Sequence, residues 1–225
     1  MDRSTPGEEL VFPRRELEAG SEYAAARLLG PEAVGVPIQC DYRKVTERGR
    51  VTIFTIGHST RPIDALIHLL TAHGVQRLVD VRTIPQSRHN PQFGREQLSA
   101  SLERAGIRYT HMPGLGGLRR PRKDSLNTGW RNASFRGYAD YMQTPEFEEN
   151  LNRCLELARA EPVALMCAEA VPWRCHRSLI ADALLARGID VREIASVTDA
   201  RPHVLTAWAR VDGTKVTYPG LPLSS

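Results

Sequence analysis

The sequence predicts an α/β domain built on a mostly parallel sheet of about five strands. Two observations carry this. From residue 51 to residue 194, short apolar or β-branched runs alternate with stretches whose apolar residues repeat at helical spacing, the signature of strands joined by helical crossovers. Within the runs the apolar residues are consecutive rather than alternating, as in strands buried on both faces. At 225 residues the chain can enclose a full core. Residues 1–50 read as a partly ordered N-terminal extension, with one helix over Glu16 to Leu29 stopped by Gly30-Pro31, and residues 51–220 as a single α/β domain.

The elements follow in order. Val51 to Ile56 is β-branched and predicts strand one. Ser59 or Thr60 can cap the next helix, with Pro62 at its start. Ile63, Leu66, Ile67 and Leu70 then keep helical spacing until Gly74 closes it. Val75 to Val81 predicts strand two and Arg82 to Gly94 a basic loop. Arg95 to Ala105 predicts a helix closed by Gly106, and Ile107 to Met112 strand three. Pro113 to Phe135 is a long irregular segment, a length that marks a functional or disordered loop. Helices are predicted over Arg136 to Met142 and Pro145 to Ala160, then strand four over Val163 to Cys167. A helix from Arg174 to Arg187 and strand five over Val191 to Ile194 complete the alternation. Asp212-Gly213 signals a hairpin in the tail. Such an alternation implies a three-layer fold, Rossmann-like or flavodoxin-like.

Composition excludes several classes. The chain is 41% apolar and 25% charged, as in ordinary globular domains. No apolar run approaches the roughly 20 residues of a membrane span, and Met1 to Gly20 lacks the apolar centre of a secretory signal. Four cysteines are too few for a disulfide framework, so a cytoplasmic location with reduced thiols is expected. The net charge of +4 is mild. Its distribution says more, because Arg82 to Lys123 holds nine basic residues against two acids. Arginine favours bidentate contacts with phosphate and carboxylate.

Chemistry concentrates at the strand ends. Strand one runs into Gly57-His58-Ser59, strand two into Asp80-Val81-Arg82, and strand four into Cys167-Ala168-Glu169, with Cys175-His176-Arg177 shortly after. In a parallel sheet these endings share one edge, the edge where ligands bind in open α/β folds. Cys167, Glu169, Cys175, His176 and His58 are the candidate catalytic groups. Cys175, expected on the first turn of a helix between two arginines, is a candidate low-pKa nucleophile, with Cys167 as the alternative and Glu169 or His58 as base. His176 precedes Leu179 and Ile180 by three and four residues, so it also reads as an inward-facing core histidine. Ser59, Asp80, Arg82, Arg88, Arg177 and Tyr138 are the candidate anion- or substrate-binding groups, with Asp80 orienting Arg82 and aromatic residues placed to stack on a base. No cofactor is expected, although Cys167, Cys175 and His176 would suit zinc or iron.

The motifs Ile56-Gly57-His58-Ser59, Val79-Asp80-Val81-Arg82, Pro85, Arg88, Phe93, Leu115-Gly116-Gly117, Cys167-x-Glu169 and Cys175-His176-Arg177 resemble, in order over Thr52 to Ile194, the family known as Domain of Unknown Function 488. That resemblance implies a compact α/β domain. Members are sometimes labelled DNA repair proteins, a label that brings no catalytic assignment. Asp80-Val81-Arg82 after an apolar strand is also similar to rhodanese-like sulfurtransferases, but Cys167 is followed by Ala-Glu-Ala-Val-Pro rather than that family's Cys-x-x-Gly-x-Arg loop.

Three functions are compatible with these residues. The first is an enzyme of the hydrolase or transferase type, whose arginines hold a phosphate-bearing ligand, a nucleotide or a nucleic acid. The second is a thiol- or metal-dependent enzyme acting on a small substrate. The third is a nucleic-acid binder without catalysis.

Overall fold

The computed structural model describes residues 51–86 and 89–220. The predicted extension over 1–50 and its helix over Glu16 to Leu29 lie outside the described residues, as does Arg88. Eight strands and five helices are described: β1 (Thr52–Gly57), α1 (Ile63–Ala72), β2 (Arg77–Asp80), α2 (Arg95–Arg104), β3 (Arg108–His111), α3 (Ala133–Tyr141), α4 (Pro145–Ala160), β4 (Val163–Cys167), α5 (Arg177–Leu185), β5 (Asp190–Ile194), β6 (Ala200–Pro202), β7 (Arg210–Asp212) and β8 (Lys215–Thr217). The main sheet has the order β3-β2-β4-β1-β5-β6. Its first five strands are parallel, and β6 is antiparallel at the edge. No described helix is long and apolar enough to cross a membrane.

Side-chain alternation builds the three layers. Ile53, Val79, Val163 and Leu165 pack into one buried cluster with α3, α4 and α5. Phe54, Ile56, Leu78, Ala164 and Met166 point the other way, into a cluster with α1 and α2. The same alternation puts Cys167, two residues after Leu165, on the α5 side. Each fully buried aliphatic side chain contributes about 1.5–3 kcal/mol, so the register of β4 is strongly fixed.

This topology creates a crevice at the end of β4. β1 and β2 leave the sheet towards α1 and α2 on one face, whereas β4, hydrogen-bonded between them, leaves towards α5 on the other. Chains diverging from neighbouring strand ends open a cleft there, and Cys167 ends β4 inside it.

Several boundaries differ from expectation. The main sheet gains a sixth strand, β6, because Ala200-Arg201-Pro202 is a largely exposed edge with no apolar pattern to announce it. α3 begins at Ala133 because the Asn132 side chain accepts hydrogen bonds from the Ser134 and Phe135 amides. α5 begins at Arg177, not Arg174, since Pro172–Arg174 is a 3-10 turn and Cys175 is extended, with φ −130° and ψ 140°. The Asp212-Gly213 hairpin forms as a separate two-stranded sheet.

Gly57 is required by the crevice. A Cβ there would lie 1.9 Å from the Glu169 carbonyl oxygen, because the chain after β4 crosses directly over the end of β1. Gly57→Ala should therefore destabilise the fold by about 1–3 kcal/mol, read as a lowered midpoint in urea unfolding; an unchanged midpoint would mean that the crossing is looser than described.

Candidate active site at the β4 crevice

The strand ends are tied together before any side chain contributes. The His58 amide donates to the Cys167 carbonyl and the Ser59 amide to the Ala168 carbonyl, both at 2.9 Å, continuing the β1–β4 ladder past the strands. Ser59 accommodates this with a φ of 50°, a left-handed conformation uncommon outside glycine and asparagine. The Val81 amide donates to the Met166 carbonyl on the other side. Around this frame lies a cleft of about 720 Å³. His58, Arg82, Cys167 and His176 line it, Ser59, Glu169 and Arg174 stand in its walls, and Ile84, Leu118 and Phe135 add apolar surface.

Each histidine is fixed in one tautomer by a carbonyl. His58 Nδ1 lies 2.8 Å from the Ser59 carbonyl oxygen, so Nδ1 carries the proton and donates. Its Nε2 is then an acceptor, 3.3 Å from Arg82 Nη1. Burial and the neighbouring Arg82 charge keep its pKa below the ordinary value. His58, stacked on Phe93 with centroids 4.1 Å apart, is therefore a neutral buttress for Arg82 rather than a base facing Cys167. His176 is reversed. Its Nε2 lies 3.2 Å from the Val81 carbonyl oxygen and donates to it, leaving Nδ1 to face two sulfurs, Cys175 at 3.8 Å and Cys167 at 4.0 Å. Gly117 lets the ring sit there, since a Cβ would approach Nδ1 to 2.5 Å.

The two thiols are unequal. Cys167 accepts a hydrogen bond from the Cys175 thiol, which lowers its pKa; burial opposes this, and the neighbouring His176 imidazole and the Glu169 amide reinforce it. Cys175, as the donor, is pushed up. Cys175 does not stand on the first turn of the helix as expected: it is extended and precedes α5, and the interaction between the two sulfurs favours the thiolate form at Cys167 over Cys175. Cys175 also does not line the cleft.

Asp80 and Arg82 form the pair anticipated between them. Arg82 Nε lies 2.9 Å from Asp80 Oδ1 and Nη2 lies 2.6 Å from Oδ2, a buried bidentate ion pair. Arg82 Nη2 also donates to the Phe93 carbonyl at 2.9 Å, and the Tyr109 hydroxyl donates to Asp80 at 2.8 Å. Desolvation would lower the Arg82 pKa, but Asp80 overrides it and the guanidinium stays charged.

Arg177 and Tyr138 are placed elsewhere. Arg177 is wholly buried and donates to the Glu169 carbonyl at 3.1 Å and to Glu193 at 2.9 Å. Glu193 also accepts from Thr55, and Arg61 donates to the Gly57 carbonyl. Arg177 thereby anchors the turn after β4 from beneath. Tyr138 is wholly buried, with its hydroxyl 2.9 Å from the Leu115 carbonyl and its ring against His176. It packs the far side of that imidazole. No pattern of residues signals Glu193, Thr55 or the carbonyl of Val81, because their roles depend on register and backbone direction.

Cys167 Sγ, Cys175 Sγ and His176 Nδ1 lie within 4.8 Å of one another. With Nε2 held by a carbonyl, these form a coherent three-donor set of the kind that thiolate-binding cations such as zinc accept.

A family model described as Domain of unknown function DUF488 matches residues 62–184, more than half of the chain. The match runs from the start of α1 nearly to the end of α5, and Gly57, His58 and Ser59 fall just before it. No curated protein and no solved structure matches.

The neutral His58 has a measurable consequence. In the unfolded chain its imidazole binds a proton near pH 6.5, and in the folded protein only at lower pH. The unfolded state therefore binds more protons in that window, so stability present at neutral pH is lost as pH falls below about 6.5. The thermal midpoint should drop more steeply between pH 7 and pH 5 in the wild type than in His58→Gln; equal slopes would contradict this.

Proposed function

Given that the chain belongs to the DUF488 family, whose description carries no reaction, we propose from the site itself that this protein is a thiol-dependent enzyme. Cys167 is its nucleophile and a small anion bearing phosphate or carboxylate is its substrate. The observation that carries this reading is the placement of Cys167 Sγ in the cleft, 4.0 Å from His176 Nδ1. His176 Nδ1 can accept a thiol proton or donate one back without turning its ring, because Nε2–H stays on the Val81 carbonyl throughout. Arg82 and the exposed Arg174 place positive charge in the same cleft. Buttressed charge of that kind can orient an anionic substrate and stabilise charge developing on it.

A nucleotide or nucleic-acid substrate has less support. Of the three arginines expected to hold phosphate, Arg88 lies outside the described residues and Arg177 is internal. Arg119 turns back onto the Gly114 and Gly116 carbonyls and covers the Tyr141 ring, and Arg122 pairs with Asp124. Tyr138 is too deeply buried to stack on a base.

Alkylation with a matched pair of reagents tests the proposal. At pH 6, iodoacetamide should modify Cys167 about tenfold or more faster than an ordinary thiol of pKa ~8.5. The anionic iodoacetate should be favoured relative to its ratio on free glutathione, with inorganic phosphate protecting. Ordinary-thiol rates with no preference for the anion would overturn it.

A further inference from the structure

We infer that Cys175 is a resolving thiol for Cys167, and that the pair reacts with hydroperoxides to form a reversible disulfide across the crevice. The inference rests on the reading of Cys167 as the reactive group and adds a second substrate class to that site.

Three observations carry it. First, the two sulfurs are neighbours within a cluster no more than 4.8 Å across, and both face the same His176 Nδ1. Disulfide sulfurs lie about 2 Å apart, so closure needs at most ~3 Å of travel. Secondly, access is one-sided. Cys167 lines the cleft and Cys175 does not, and Cys175 is only 3% exposed, so a small oxidant meets Cys167 first and Cys175 is reached only through it. Thirdly, the part of the connecting segment nearer Cys175 can take up the movement: Ala168 and Glu169 are held by their carbonyls, but Ala170, Trp173 and Arg174 are exposed, and no α-helix or strand lies between β4 and α5. Cys154 offers a contrast on the same chain, since it is buried inside α4 and burial pushes its thiol up to about 12.

Cys167 gives its thiol proton to His176 Nδ1 and its sulfur attacks the terminal oxygen of the hydroperoxide; the O–O bond breaks, and the departing oxygen takes that proton from Nδ1 to leave as water or an alcohol, which frees Nδ1 again. Cys167 is thereby oxidised to a sulfenic acid and the hydroperoxide is reduced. Cys175 then gives its proton to His176 Nδ1 and attacks the Cys167 sulfur. The S–O bond breaks, and the hydroxide recovers that proton and leaves as water. A dithiol reductant returns both thiols by exchange. While the disulfide stands, the nucleophile is absent from the cleft.

The test is intact-mass and peptide-mapping mass spectrometry of the full chain after exposure to equimolar hydrogen peroxide, alongside Cys175→Ser and iodoacetamide labelling of the unoxidised protein. The expected result is a wild type lighter by two hydrogens, with a Cys167–Cys175 peptide that a dithiol reverses. In Cys175→Ser the disulfide should be lost, with Cys167 trapped as sulfenic acid by dimedone and proceeding to sulfinic acid. If Cys167 alkylates rapidly yet wild type and variant oxidise identically, or the disulfide involves another cysteine, the resolving role is overturned and the nucleophile reading survives. If Cys167 neither alkylates nor oxidises, both fall.

Discussion

The site depends on the parallel pairing of β1 with β4 continuing beyond the strands themselves. Two amide hydrogen bonds, from His58 to the Cys167 carbonyl and from Ser59 to the Ala168 carbonyl, hold the two exits together although their helices lie on opposite faces of the sheet. They exist because Gly57 presents no side chain where the Glu169 carbonyl crosses and because Ser59 adopts a left-handed backbone. Backbone hydrogen bonds at that point keep buried polar groups satisfied and set where Cys167 stands. The arginines follow from the same constraint: Arg177 and Arg61 donate to the carbonyls of Glu169 and Gly57, the two residues that meet at the crossing.

On that frame, the polar groups divide into two sets. One is a chain of fixed charge: Tyr109 donates to Asp80, Asp80 holds Arg82, Arg82 donates to neutral His58, and His58 donates to the Ser59 carbonyl. Every member has a defined partner, which is what a charge pair withdrawn from water requires. The other set can move a proton. Cys167, Cys175 and His176 Nδ1 face one another, and only the Nε2 side of His176 is tied down. The first set suits binding and orientation, the second suits chemistry, and the cleft is lined by members of each: Arg82 and His58 from the first, Cys167 and His176 from the second.

Much of the fold was legible in the sequence. Consecutive apolar residues in Val163 to Met166 marked a strand buried on both faces, and the helix predicted over Pro145 to Ala160 has those bounds. The convergence of Gly57-His58-Ser59, Asp80-Val81-Arg82 and Cys167-Ala168-Glu169 follows from parallel strands sharing one edge, which periodicity alone could indicate. What it could not indicate was direction within the site. Arg177 appeared beside Cys175 and His176 in sequence, yet the helix that starts there turns its guanidinium into the interior. Nor could spacing say which sulfur the surroundings favour as a thiolate, because that depends on which sulfur donates to the other and on a 3-10 turn at Pro172 that takes Cys175 off the helix. β6 escaped for a simpler reason: three edge residues ending in proline carry no strand pattern.

The measurement closest to the central claim is a pH titration of thiolate ultraviolet absorbance on the full chain, Cys167→Ser and Cys175→Ser. The account predicts one thiolate ionising well below the ordinary cysteine range of about 8.5. That transition should vanish in Cys167→Ser and move to higher pH in Cys175→Ser, where the donated hydrogen bond is altered. A low-pH transition that survives Cys167→Ser, or the absence of any ionisation below the ordinary range, would contradict the assignment of Cys167 as the reactive centre.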